Sequence, residues 1–332
     1  MDSKSLVSTI VFSTAMTLCA PTLANAQKYV ADVNNYPDKP IRFIVPWVAG
    51  GGADFSARII TAKMSEGFNQ QVVIDNRPGA NGIIGAELAA KATPNGYTMV
   101  LLIAEHFINP SINSRLPYDT VKDFAPISLI GAHSIVLIVN PSLPAKSVQE
   151  LVALAKSRPG ELTFGSWGNG SLGHLSGELF KSMAKIQMVH VPYKGAPQAI
   201  VDIHGGRLSL MFTTVPTALP FISSRKLRGL AVTSAERLPI LPDVPTVIES
   251  GYPGLEIQHW RGIYVPAGTP KQIVSKLNAE LVKILRMQDV RDRLTAGGFY
   301  PVSSTPQELE TFSKSELERW AKVAHQAGLR TN

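Results

Sequence analysis

Two glycine-rich turns hold the residues best placed to do chemistry. Ala49-Gly50-Gly51-Gly52-Ala53 and the stretch 165–173 each follow a short apolar β-type run and lead into a helix-like pattern. A helix start leaves backbone N–H groups without intrahelical partners, and the macrodipole adds roughly half a positive charge there. Glycine lets a ligand approach that bare backbone closely. Two such turns, a domain's length apart, predict a small anion gripped from both sides.

Catalytic alternatives fail on spacing. Gly168-x-Gly170-x-x-Gly173 matches the dinucleotide fingerprint, but the acidic residue expected about 20 positions on is missing. The chain there reads His190-Val191-Pro192-Tyr193-Lys194, so no nucleotide or other cofactor is expected. A serine nucleophile elbow needs glycine two residues either side, whereas Ser171 has Asn169 and Ser166 has Phe164 before it. No two of the seven histidines are spaced i, i+4 around a carboxylate, so no metal site is expected. Asp54, just after the first turn, reads as the cap of the helix beginning there and as support for the loop, since its charge would repel an anion. His174, in the first turn of the second helix, reads as bonded to nearby backbone. Trp47 and Trp167 flank the turns and can wall a cleft against an apolar ligand body.

The elements that must position these turns alternate between β-type and helical patterns. Ile41–Val45, Val72–Ile74 and Tyr97–Ile103 read as strands interleaved with helices at Asp54–Met64 and Ile83–Ala92. Leu162–Ser166, Met188–Val191 and Leu208–Phe212 continue the pattern, with helices at Ser171–Met183 and Pro197–His204. Such βαβ units predict an α/β protein whose sheets are mostly parallel and flanked by helices. Ser147/Glu150, Thr269/Gln272 and Thr305/Glu308 fit capping boxes, with Pro270 and Pro306 at first helical positions. Ser134–Val139 and Glu256–Val265 are long enough to cross between lobes. They divide the chain into one lobe of residues 27–133 plus 259–332 and another of residues 134–258.

Residues 1–26 read as a secretory signal: Lys4, a mostly apolar run from Leu6 to Leu23, then Ala24-Asn25-Ala26. The single cysteine, Cys19, falls inside it, leaving the exported chain no disulfide, thiolate nucleophile or cysteine metal site. A net charge of +7 favours anionic solutes or surfaces, and the scattered charges carry no nucleic-acid motif.

The residues also resemble a family. Tyr36-Pro37-x-Lys39-Pro40-Ile41-Arg42, Val45-Pro46-Trp47 with Ala49-Gly50-Gly51-Gly52-x-Asp54, and Asn76-Arg77-Pro78-Gly79-Ala80-Asn81-Gly82 resemble the Bug family of solute receptors. The likeness runs on through Gly168-Asn169-Gly170-Ser171 with His174, Val191-Pro192-Tyr193-Lys194-Gly195, and Pro266-Ala267-Gly268-Thr269-Pro270. It implies a two-lobed periplasmic binding protein, type II-like, with two crossover strands. It also implies a monomer that closes on an organic carboxylate and docks on the permease of a tripartite tricarboxylate transporter. Carried over, ligand contacts fall on Trp47, Ala49, Gly50, Gly51, Gly52 and Ala53, and on Ser166, Trp167, Gly168, Asn169, Gly170 and Ser171.

Three departures bear on the ligand. Thr213 stands where an acidic residue is common, Glu105-His106 where small residues are, and Arg261 where an apolar one is. His106, Thr213 and Arg261 are expected to form a second polar contact set, with Glu105 beside it, suited to a dicarboxylate or an aromatic carboxylate. The alternative is that Arg261 pairs with Glu105 or faces solvent. A rival function, an exported enzyme acting on a carboxylate, has only Glu105-His106 to offer. Neighbours on an extended segment point to opposite faces.

Overall fold

Runs of Val, Ile and Leu become strands buried on both faces, with alternate residues feeding different cores. In the first strand Ile41, Phe43 and Val45 pack into one core while Ile44 enters another. The computed structural model describes residues 35–326, 328 and 329; the expected signal at residues 1–26 lies outside the described residues. In chain order the elements are β1 (Ile41–Val45), α1 (Gly52–Phe68), β2 (Val72–Asn76), α2 (Ile83–Ala90), β3 (Thr98–Ile103), α3 (Ala104–Ile112), β4 (Phe124–Val139), α4 (Val148–Ser157), β5 (Thr163–Ser166), α5 (Leu172–Ala184), β6 (Val189–Pro192), α6 (Ala196–His204), β7 (Leu210–Thr214), α7 (Val215–Ser223), β8 (Arg228–Val232), β9 (Gln258–Pro266), α8 (Lys271–Arg286), α9 (Gln288–Ala296) and α10 (Pro306–Gln326).

The strands form two sheets that share β4. The first runs β2-β1-β3-β9-β4, and the second places β7, β5 and β6 on one side of β4 and β8 on the other. The expectation of mostly parallel sheets is corrected: both are mixed. β1 pairs in parallel with β2 and β3, and β5 with β6 and β7, but β4 and β9 run antiparallel to every neighbour. Of the two expected crossing runs, β4 lies in both sheets. β9 pairs with β3 and with the β4 segment Phe124–Ser134, wholly within the first sheet.

The helices bury their apolar stripes on these faces. Ile60 and Met64 of α1 pack with Leu277, Leu281 and Ile284 of α8 on one side of the first sheet. Leu309 and Trp320 of α10 lie in the core containing Phe107 of α3 and Leu175 of α5. Two of the expected capping boxes form bonds. Thr305 and Glu308 exchange both reciprocal hydrogen bonds, while Ser147 receives the Glu150 amide and the Glu150 carboxylate receives that of Lys146. The third does not form: Thr269 turns its hydroxyl back to the Pro266 carbonyl, and α8 begins at Lys271 with Pro270 before it in extended geometry.

One irregularity sets the position of the site. The register between β4 and β9 shifts between Leu129 and Gly131, and Gly131 then faces Arg261. Gly131 has φ +134°, and a Cβ there would come within 2.2 Å of the Tyr300 carbonyl oxygen and 2.8 Å of the Phe299 ring. Gly131→Ala is therefore expected to lower the unfolding free energy by about 2 kcal/mol or more, through backbone strain and overpacking together. Chemical denaturation with an unchanged slope would measure it, and a wild-type midpoint would contradict the account.

Candidate ligand site

The first glycine turn opens a helix whose start is bare. Gly50 takes φ +77°, and Gly51 caps α1 with no side-chain bond to the first-turn amides. The expected role of Asp54 as that cap is corrected, because it lies inside the first turn. Its Oδ2 accepts from the Gly50 amide at 2.9 Å and from Arg58 Nε at 2.7 Å, and its Oδ1 from Asn76 Nδ2 at 3.0 Å. Burial opposes its ionisation, but Arg58, the Gly50 amide and Asn76 outweigh that and hold its carboxyl below the usual range. The charge is spent behind the turn. In front lies a cavity of about 480 Å³ lined by Trp47, Gly50, Gly51, Gly52, Ala53 and Phe55. Ala49 does not line it.

Arg261 supplies the charge of this cavity. It stands on β9, lines the cavity and is 2% exposed, so it does not face solvent. Nη1 donates to Ser56 Oγ at 2.8 Å and Nη2 to His133 Nε2 at 2.7 Å, and the guanidinium lies 4.7 Å from the centre of the Phe299 ring. Among the described residues no carboxylate oxygen comes within 4.0 Å, which also excludes a direct ion pair with Glu105, and Nε has no hydrogen-bond partner. Burial pushes its pKa down to about 9, the Glu105 charge opposing, so it is cationic at neutral pH. His133 Nδ1 donates to the Gly298 carbonyl at 2.8 Å, which leaves Nε2 as the acceptor for Arg261. Burial, reinforced by the Arg261 charge, holds the His133 pKa well below its ordinary value, so the ring is neutral.

Glu105 and His106 lie in the first turn of α3, not on an extended segment. Successive helical residues point about 100° apart, and the two side chains separate accordingly. Glu105 lines the cavity, whereas His106 turns away, bonding the Thr120 carbonyl at 3.1 Å and stacking on Tyr118. Burial pushes the His106 pKa down to about 4. Burial works against ionisation of Glu105 as well, but His259 and the Leu172 amide outweigh it and hold the carboxyl below its usual range.

The second glycine turn is mostly bound to itself. Ser171 caps α5 by accepting the His174 amide, and its hydroxyl donates to the Gly168 carbonyl at 2.7 Å. His174 Nδ1 accepts from the Gly170 amide at 3.1 Å, and its ring stacks on His190, centroids 3.8 Å apart. His190 Nε2 meets Ser166 Oγ at 2.7 Å. Of this turn only Trp167 lines the first cavity; Asn169, Gly170 and His174 line another, of about 570 Å³. Ser166, Gly168 and Ser171 line neither. Thr213 is buried with its hydroxyl unpartnered, and its neighbour Thr214 lines the first cavity instead.

The structure thus gathers the first turn, Glu105, Trp167 and Arg261 around one cavity, and sets Ala49, His106, Thr213 and most of the second turn outside it. It adds His133 and His259, which face each other across β4 and β9. His259 had a signal: strand alternation puts it on the same face as Arg261. His133 had none, since it meets Arg261 across 128 positions.

A mixed two-sheet α/β fold, with a helix start and a buried cation facing one cavity, defines a solute receptor of the periplasmic binding protein class. The chain belongs to the family described as tripartite tricarboxylate transporter family receptor, whose sequence profile it matches over residues 56–329. This agrees with the Bug-family resemblance, and the members of this family are receptors rather than enzymes. Protein BugT of Bordetella pertussis is 36% identical over 297 residues, 89% of this chain and 91% of that one. An R. palustris protein solved with adipate superposes with TM-score 0.81 at 37% identity, covering 90% of this chain and all of that one. MatC from Rhodopseudomonas palustris, solved with bound malate, gives TM-score 0.77 at 31% identity, covering 87% of this chain and 99% of that one.

The stacked histidines behind the second turn make a test of its packing. Burial, with Lys181 nearby, pushes His174 down to about 4, and burial, with His174 and Lys181, pushes His190 down to about 3. Both folded values are depressed, so the unfolded chain binds protons first as pH falls below about 6.5, and folding stability falls with it. Unfolding free energy is expected to drop by about 2 kcal/mol per fully shielded ring between pH 7 and 5, so by about 3 kcal/mol from the pair once solvent screening of the half-buried His190 is allowed for. His190→Gln should flatten that slope; an unchanged slope would remove the pair as its source.

Proposed function

We propose that this protein is a periplasmic receptor that binds a small organic carboxylate and delivers it to the membrane permease of a tripartite tricarboxylate transporter. The observation that carries the reading is Arg261, a buried guanidinium with no carboxylate within 4.0 Å among the described residues, facing the uncapped start of α1. A buried cation calls for an anion, and this one has no internal partner in contact. Trp47, Phe55 and Trp167 offer apolar walls for the body of the acid.

A dicarboxylate or an aromatic carboxylate is the ligand class this reading carries forward. The dicarboxylate arm is supported by the adipate and malate held by two relatives, the aromatic arm by the three aromatic walls. His106 and Thr213 no longer support either, and Arg261 alone stands for the second polar set. The receptor acts as a monomer of two lobes, residues 27–133 with 259–332 and residues 134–258. Hinging at β4 and at the entry to β9 traps the ligand, and the permease reads the closed form.

A thermal-shift screen of mono-, di-, tri- and aromatic carboxylates is expected to give a raised melting temperature with at least one acid, since a ligand that binds only the folded state stabilises it. For that acid, Arg261→Met should weaken binding by about ten- to a hundredfold, the worth of a charge-assisted hydrogen bond. Unchanged affinity in titration calorimetry would remove Arg261 from the site. X-ray scattering should show compaction on binding; equal radii with and without ligand would rule out closure as the transport signal.

A further inference from the structure

The anion seat at the start of α5 is already filled, and a side chain of this chain fills it. Glu105, 1% exposed, directs its carboxylate at that helix start. Oε1 accepts from the Leu172 amide at 3.4 Å and from Trp167 Nε1 at 3.3 Å, both long contacts, and Oε2 accepts from His259 Nε2 at 3.0 Å. The two helix starts that the glycine turns prepare are therefore not equivalent. The start of α1 faces a cation; that of α5 faces an anion belonging to the protein.

The cavity thus carries charges of both signs. On the Arg261 side the unmet group is a donor, Nε, beside a helix start so tight that a Cβ on Gly52 would come 2.9 Å from Arg261 Nη2. On the Glu105 side the under-used acceptor is the carboxylate itself. Oε1 is held only by long contacts, and His259, having donated from Nε2, leaves Nδ1 buried without a partner. A ligand with two ionised carboxylates would set its second one against the Glu105 carboxylate, like charge facing like. A monoanion with a donor, or a zwitterion, satisfies both sides.

We propose that the ligand is a carboxylate bearing a hydrogen-bond donor, a hydroxyl, amide or ammonium, whose carboxylate sits between the start of α1 and Arg261 while the donor is read by Glu105. This rests on the carboxylate reading above and narrows it: doubly ionised dicarboxylates are selected against, and donor-bearing acids, aromatic ones included, are favoured. It also gives Thr213 a different meaning. The carboxylate that could meet an ammonium is present in this chain, at Glu105 on α3 instead of after Phe212.

The test is titration calorimetry with two series of matched size: hexanoate, 6-aminohexanoate and adipate; and 4-methylbenzoate, 4-(aminomethyl)benzoate and terephthalate. In at least one series the wild type should bind the amino acid about tenfold or more tighter than the diacid, and Glu105→Gln should abolish that ratio. A diacid bound as tightly as its amino counterpart in both series, or a ratio that survives Glu105→Gln, overturns the assignment. Binding of every acid without regard to the far group overturns this inference alone. Binding of none overturns the carboxylate reading and this one with it. The wild-type ratio decides by itself if the variant fails to fold, which its melting temperature reports.

Discussion

The site depends on a buried guanidinium that the protein holds without neutralising. Taking a cation out of water is expensive unless its N–H groups find acceptors. Arg261 finds neutral ones, the Ser56 hydroxyl and the His133 imidazole, and rests near the face of Phe299. Each choice constrains its surroundings. His133 must be neutral with its proton on Nδ1, which the Gly298 carbonyl enforces. Gly52 must lack a side chain so that Nη2 can approach α1, and Gly131 must lack one so that the strand opposite Arg261 can bulge against Tyr300. Parts of α1, β4, β9 and the 297–299 turn are thereby fixed by one side chain. None of them cancels its charge on contact.

The sequence showed the alternation of strands and helices because that pattern is local. Period-two and helical spacings survive in any fold that uses them. It misread α3 because Ala104-Glu105-His106 follows a long apolar strand and Pro110 lies a few residues on, both reading as extended chain. Tertiary packing decides otherwise: Phe107 meets Trp260 and Tyr264, and His106 is enclosed by Tyr118 and Phe124. The mixed sheets were missed for a related reason. Strand direction depends on long-range pairing, and β4 and β9 meet partners far along the chain, such as Ile103 with Arg261 and Ile135 with Thr214.

The site was half legible. Both glycine turns announce helix starts, and the departures at Glu105 and Arg261 single out residues that line the cavity. What their neighbours do to them was invisible. Ser56 lies 205 positions from Arg261, and His259 lies 154 positions from Glu105. Glycine content predicts where backbone amides are bare; it carries no information about which side chain has already taken them.

That difference separates two kinds of anion seat that look alike in sequence. An open helix start attracts any anion through oriented amides, and its selectivity comes from the charge beside it. A start filled by an internal carboxylate presents the opposite sign to the cavity, through the unused lone pairs of that carboxylate. Here the positive charge sits on an arginine and not on His133, which burial, reinforced by the same arginine, keeps neutral. The polarity of the cavity therefore does not hinge on His133 changing charge near neutral pH. It is fixed by two side chains, Arg261 and Glu105, on the neighbouring elements β9 and α3.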